Sequence, residues 1–215
     1  MYNDRMPDTT FEIRICNSCG LRYPLETGSP FGRRCPVCLG DTRVVLSREM
    51  AAEPARFQPR TSLAKTGLAV LLDNIRSAWN VGSILRSADG FGFSQAYLCG
   101  ITPTPDLEAV TKTSLGAEES VPWSYHKDAV RLVKGLKKEG FTVHALEEHE
   151  RAVDVRYAAR GSFSSILILG NEISGVDPEL LELCDSIFHI PMLGEKRSFN
   201  VAIAFSIAAY ALSLQ

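Results

Sequence analysis

Beyond residue 66 the chain is built on five short apolar runs: LAVLLD (68–73), QAYLCG (95–100), FTVHAL (141–146), SILILG (165–170) and SIFHIPM (186–192). Each is too short for a buried helix, and the β-branched content favours strands. The stretches between them carry helical spacing, and strands that alternate with helices imply a parallel α/β sheet. Three devices common on such sheets are missing. No G-x-G-x-x-G follows the first run, no G-x-x-x-x-G-K-[ST] occurs, and no G-x-S-x-G marks a nucleophile elbow. Dinucleotide, P-loop and serine-hydrolase chemistry are thereby disfavoured.

A different constraint governs the N-terminal part. Of six cysteines, Cys16 and Cys19 form one C-x2-C pair and Cys35 and Cys38 another, with fifteen residues between the pairs. Two such knuckles can close a tetrahedral four-thiolate zinc site, and the intervening GLRYPLETGSPFGRR reads as the hairpin of a small zinc ribbon. Gly20 and Gly40 are expected to supply the positive-φ positions of the knuckles. A module of this size has too little core to fold alone, so structural zinc would provide its folding energy. Cys99 and Cys184 stand in apolar surroundings and read as small core residues. The expected organisation is a zinc ribbon over 1–46, a linker over 47–66 with two prolines and no sustained period, and the α/β domain over 67–215. Residues 1–65 hold ten Lys/Arg against seven Asp/Glu, while the chain as a whole has a net charge of −2. The basic balance of the N-terminal segment points to polyanion contact there, although ordinary solvated surface would give the same counts. No run reaches the ~18–20 apolar residues of a membrane span, and the start lacks the apolar region of a secretory signal. No membrane partner and a cytoplasmic location are expected.

Three stretches carry candidate chemistry. In LILGNEISG (167–175) an apolar strand empties onto Asn171 and Glu172. That is where ligands sit in open α/β sheets, although a loop carboxylate there can also simply cap backbone amides. Gly175 can bend the loop, and Asp177 and Pro178 suit the N-cap and first turn of the next helix. In DNIRSAWNVGSILRSADGFGF (73–93), Asn80 is a plausible N-cap, and Val81, Ile84, Leu85 and Ala88 form one apolar helix face. Arg86 falls about 150° from the middle of that face, with Gly82 one turn before it and expected to leave room beside its guanidinium. In MLGEKRSFNVAIAFSIAAYALSL (192–214), Ser198 or Asn200 caps a helix that is apolar nearly all round and must therefore be buried against the sheet or a partner chain.

These stretches, in this order, resemble the SpoU/TrmH family of RNA ribose 2'-O-methyltransferases over about residues 66–215. DNIRSAWNVGSILRSADGFG is similar to the first family motif with Asn80, Gly82, Arg86 and Gly92. LILGNEISGV is similar to the second with Gly170, Glu172 and Gly175. IPMLGEKRSFNVAIA is similar to the third with Ile190, Pro191, Met192, Ser198, Asn200 and Val201, and KTSLGAEESVP is also family-like. One departure stands out: Phe199 occupies a position where the family usually has leucine. The resemblance implies the SPOUT fold, an α/β parallel sheet with a C-terminal deep trefoil knot, and a homodimer formed through the knotted domain. It implies S-adenosyl-L-methionine held around Leu169, Gly170, Ile190, Met192 and Phe199. It implies methylation of a ribose in structured RNA, tRNA or rRNA, with Arg86 at the reacting 2'-hydroxyl and Glu172, Asn80, Ser198 and Asn200 orienting the site. Because a guanidinium stays protonated, Arg86 is expected to stabilise developing alkoxide charge instead of acting as a base. A non-catalytic RNA-binding protein on the same fold, or a small-molecule methyltransferase, are the competing readings.

Overall fold

The computed structural model describes residues 9–29, 34–50, 67–158 and 164–213. The chain divides into two compact units, Met1–Thr61 and Ser62–Gln215. In the first, β1 (Thr9–Cys16), β2 (Arg22–Glu26) and β3 (Thr42–Met50) form an antiparallel sheet in the order β2-β1-β3. Strand β3 continues to Met50, four residues into the segment expected as linker. Residues 51–66, the rest of that segment, lie outside the described residues.

The second unit is α/β. Its strands are β4 (Leu68–Asp73), β5 (Gln95–Cys99), β6 (Trp123–His126), β7 (Thr142–Leu146), β8 (Val153–Asp154), β9 (Ser165–Leu169) and β10 (Ser186–His189). All pair in parallel, in the order β6-β5-β4-β9-β7-β10-β8. The five expected strands are all present. Strands β6 and β8 were not expected: WSYH carries little apolar signal and β8 is only two residues long. The helices are α1 (Ala78–Gly90), α2 (Glu108–Ser114), α3 (Ala117–Ser120), α4 (Ala129–Lys138), α5 (Pro178–Leu183) and α6 (Val201–Ser213). Among the described residues no helix is long and apolar enough to cross a membrane.

A parallel sheet is buried on both faces, so its strands are apolar throughout. Alternate residues divide between two cores. Val70, Leu72, Leu167 and Leu169 pack with α1 and α6. Ala69, Leu71, Ile166 and Ile168 pack with α4 and α5 on the other face. Strand order reverses direction at β4/β9, the switch point at which open sheets place ligands. From β10 the chain runs back past the loop that follows β9, and α6 docks on α1. The expected knotted SPOUT fold calls for a C-terminal return of this kind. Phe93 meets Phe205 edge-on at 5.1 Å, and Ser87 Oγ lies 2.8 Å from Ser206 Oγ across the α1–α6 seam.

Two local expectations are corrected. Asn80 is not the N-cap of α1: Ser77 is, its hydroxyl accepting the Asn80 amide at 3.4 Å. Gly82 does not leave room for Arg86. A Cβ there would stand 2.0 Å from Thr113 Oγ1 and 2.3 Å from the Val110 carbonyl oxygen, so the space belongs to the backbone of α2. The family-like KTSLGAEESVP stretch is thus in part a packing element, fitted to α1 at a glycine. The Asp177 cap and the Pro178 start of α5 are found as expected, the Asp177 carboxylate accepting the Glu179 amide at 2.8 Å.

Gly82→Ala should therefore destabilise the α/β unit. Overpacking against backbone typically costs ~1–3 kcal/mol, which a lowered denaturant midpoint with an unchanged slope would register.

Candidate active site

The carboxyl ends of β7, β9 and β10 open onto a cavity of ≈ 380 Å³, within the range of small-molecule sites. Its walls are the segments 146–148, 169–175 and 189–204. Of the residues expected around a cofactor, Leu169, Gly170, Ile190, Met192 and Phe199 all line it, and so do Glu172, Ser198 and Asn200.

The loop after β9 is held tightly. Gly170 and Gly175 face each other in a narrow bridge, Asn171 and Gly175 exchanging backbone bonds of 3.0 and 2.9 Å. A Cβ on Gly170 would lie 2.2 Å from the Gly175 carbonyl carbon and the Val176 nitrogen. Gly175 has φ +73, a left-handed value that favours glycine. The Asn171 side-chain amide donates to the Asn74 carbonyl at 2.7 Å, and its oxygen accepts the Ile173 amide at 2.9 Å.

Glu172 reaches across the switch point. Its carboxylate accepts the backbone amides of Arg76 at 2.9 Å and Ser77 at 3.2 Å, and the Asn80 side-chain amide at 2.9 Å. Burial pushes the carboxyl up, but the Arg76 amide, the Asn80 side chain and the Ser77 amide outweigh it, and the group titrates below the ordinary glutamate value. A depressed folded value means that its contribution is present above the unfolded pKa and is lost as pH falls through the folded one. Asn80 Oδ1 in turn accepts from Asn200 Nδ2 at 3.0 Å, and Asn200 Oδ1 accepts the Ala202 amide at 2.9 Å, so Asn200 rather than Ser198 caps α6. One hydrogen-bonded chain thus joins the loop after β9, the start of α1 and the start of α6.

Arg86 is exposed on α1 and does not line this cavity. Other residues that do line it were not anticipated. Glu147 accepts the Val176 amide at 2.9 Å and occupies the space beside Gly175, its Oε2 lying 2.5 Å from where a Cβ would stand. Glu148 and His189 approach to 3.5 Å, and Arg197 also reaches the wall. Glu147 follows an apolar run as Glu172 does. The same signal, a carboxylate just past a strand end, applied to FTVHAL would have found it.

In the first unit the ligand atoms of Cys16, Cys19, Cys35 and Cys38 lie within 4.8 Å of one another. Cys16 Sγ is 3.4 Å from Cys38 Sγ, and Cys19 Sγ is 3.7 Å from Cys35 Sγ. A tetrahedron with Zn–S bonds of ~2.3 Å has edges of ~3.8 Å, so the four sulfurs are already near that spacing. Amides of Cys19 and Ser18 point at Cys16 Sγ, each at 3.4 Å, and hold that thiol down at about 6. Gly20 has the expected positive φ of 74°, but at the second knuckle Leu39 (φ 59°) takes that conformation. Gly40 serves by close approach instead: a Cβ there would meet Ser18 Oγ at 2.5 Å and Cys38 Sγ at 3.3 Å.

Known proteins agree with this geometry. The family profile described as SpoU rRNA Methylase matches residues 67–210. A Thermus thermophilus tRNA (guanosine(18)-2'-O)-methyltransferase is 34% identical over 143 residues, 66% of this chain and 72% of the relative. The Bacillus subtilis 23S rRNA (guanosine(2553)-2'-O)-methyltransferase RlmP is 30% identical over 97% of this chain and 82% of its own length. Among solved structures, an AdoMet-bound rRNA methyltransferase from Sinorhizobium meliloti superposes with a TM-score of 0.64 at 28% identity, covering 67% of this chain and 55% of that one. Matched over residues 67–210 by the family profile and along nearly its full length by a relative, the chain belongs to the SpoU methylase family.

Proposed function

We propose that the protein transfers a methyl group from S-adenosyl-L-methionine to a ribose 2'-hydroxyl in structured RNA, tRNA or rRNA. The observation that carries the reading is the Glu172–Asn80–Asn200 chain, which gathers all three family motifs at the mouth of one cavity. The cavity fits the cofactor. Leu169, Ile190, Met192 and Phe199 offer apolar contact for an adenine face, and Gly170 presents backbone with no side chain in the way. When bound, the cofactor supplies an electrophilic methyl on a sulfonium. The protein contributes alignment, exclusion of water and charge stabilisation. Glu172 and Asn80 fix the loops flanking the cavity, and Ser198 and Asn200 orient the ribose. Arg86 stabilises negative charge that develops on the attacking oxygen.

Arg86 has to meet the cavity from outside the single chain, and we propose that a homodimer provides the meeting. Phe199, Ile203 and Tyr210 are 41%, 52% and 56% exposed. Ile203 and Tyr210, seven residues apart, lie on one stripe of α6 at about 100° per residue, and Phe199 stands just before the helix begins. Ser206 of that helix bonds Ser87 beside Arg86, so pairing through the stripe brings a second copy against Arg86. A dimer needs roughly 1,000 Å² or more of interface. Ile203→Glu should shift the species seen by light scattering at micromolar concentration from a dimer to 23.6 kDa, and a wild type that is itself 23.6 kDa would count against the pairing.

The four thiols are proposed to hold one structural zinc. Metal analysis should find one zinc per chain, and Cys35→Ser should unfold the N-terminal unit while the α/β unit persists. An ordered N-terminal unit in metal-free protein would contradict this.

The catalytic roles separate in single-turnover methylation and in calorimetry with S-adenosylhomocysteine. Arg86→Lys keeps the charge but loses the planar fork, and should slow transfer ~10²- to 10³-fold with cofactor affinity unchanged. Glu172→Ala should lower both rate and cofactor affinity, because its loop forms the cavity wall. A near wild-type rate for Arg86→Lys would reduce Arg86 to a phosphate anchor.

A further inference from the structure

The pairing register of the N-terminal sheet sorts its charges by face. Cross-strand partners share a face, which gives three rows: Arg22–Ile15–Arg43, Pro24–Ile13–Leu46 and Glu26–Phe11–Arg48. One face therefore carries Arg22, Arg43 and Arg48, all exposed, around an apolar centre in which Leu46 is 52% exposed and Phe11 half-buried. Arg14, between Ile13 and Ile15, falls on the other face by alternation, where Glu12 holds it at 2.5 Å and Thr42 at 3.0 Å; the bulge, with Val45 as the extra residue of β3, keeps Arg43 on the face of Leu46 and Arg48. Among the described residues no carboxylate pairs with Arg22, Arg43 or Arg48. The one acid on their face, Glu26, is two strands away from Arg48.

Unpaired guanidinium groups around an apolar and aromatic centre are the composition of a nucleic-acid surface, where arginines take phosphates and apolar faces take unstacked bases. The backbones of Arg22 and Arg43 are two strand spacings apart, ~10 Å, and Arg43 and Arg48 lie on β3 opposite Ile15 and Phe11, which are four residues apart on β1, ~14 Å. Three cations spread over that span match successive phosphates of one RNA segment better than one small anion. A second copy of this chain would bring the same three cations against themselves. We infer that this face of the N-terminal sheet is an RNA-binding surface, which grips the backbone of the substrate with residues other than those of the methyl-transfer cavity. The inference rests on the RNA reading of the cavity above.

The test is the full-length triple variant Arg22→Ala/Arg43→Ala/Arg48→Ala, probed with total tRNA and with total rRNA. Affinity should fall roughly 10- to 100-fold at physiological salt, and the slope of log K against log salt should flatten by about 2–3, one phosphate contact per arginine. KM for RNA should rise, while the rate at saturating RNA, S-adenosylhomocysteine affinity and zinc content stay at wild-type values. Unchanged affinity and salt slope would overturn the inference. So would unchanged RNA binding with an altered oligomeric state, which would make the face an interface between copies. A wild type that binds both RNAs through these arginines but transfers no methyl would sink the catalytic reading alone. One that binds S-adenosylhomocysteine but no RNA would sink both.

Discussion

A single carboxylate sets the direction of the hydrogen bonds on which the site depends. An ionised carboxylate only accepts, so Glu172 forces Asn80 to present its amide nitrogen. The Asn80 oxygen then faces away and accepts from Asn200, whose own oxygen is left to cap α6 at Ala202. Each amide in the series has one orientation that satisfies both neighbours. Residues 92 and 120 positions apart in the chain are fixed in this way, at the point where strand order reverses. The chain end of α1 also favours the negative charge, because its unpaired amides point toward it.

This arrangement explains why a charge can stand at the end of a buried strand. Leu167, Ile168 and Leu169 are fully enclosed, and the chain then leaves the sheet through a glycine bridge too narrow for a Cβ. Glu172 emerges among three donors, so its desolvation is repaid by bonds to the charged form. Glu147 repeats the device one strand over, accepting the Val176 amide from the end of β7. Two carboxylates past adjacent strand ends thus tie the same loop, one to the start of α1 and one to the end of β7.

What was legible in the sequence divides along physical lines. Apolar runs report burial, a local property, and all five became strands. The Asp177–Pro178 start of α5 was also legible, because capping is settled within one turn. Close packing between distant segments was not. Gly82 looks like any helix glycine until α2 is laid against it, and Gly40 looks like a turn glycine until Ser18 and Cys38 fill its space. Ser77 displaced Asn80 as the cap of α1 because the Asn80 side chain is committed to Glu172 and Asn200, bonds that span most of the α/β unit. Strands β6 and β8 lie at the two edges of the sheet, where half the burial is lost and with it the apolar signal. Position alone picked out Glu172, Arg86, Ser198 and Asn200, but their roles came only through resemblance, since Glu172 in isolation is equally an amide cap, and amide capping is part of what its carboxylate does.

The exposed position of Arg86 then acquires a reason. A guanidinium inside the cavity would sit against a cationic sulfonium, and burying two like charges together is costly. Under the proposed pairing, an arginine held on the outer face of α1, beside the α6 seam, would meet the reacting oxygen only when the assembly and the RNA are both in place. On that proposal the cavity walls are held by Glu172, Asn80 and Asn200, and the residue that stabilises the transition state lies outside them. In that reading the residue proposed to set the rate stands apart from the cavity: the cavity lies over β9, β7 and β10, and Arg86, exposed on α1, does not line it.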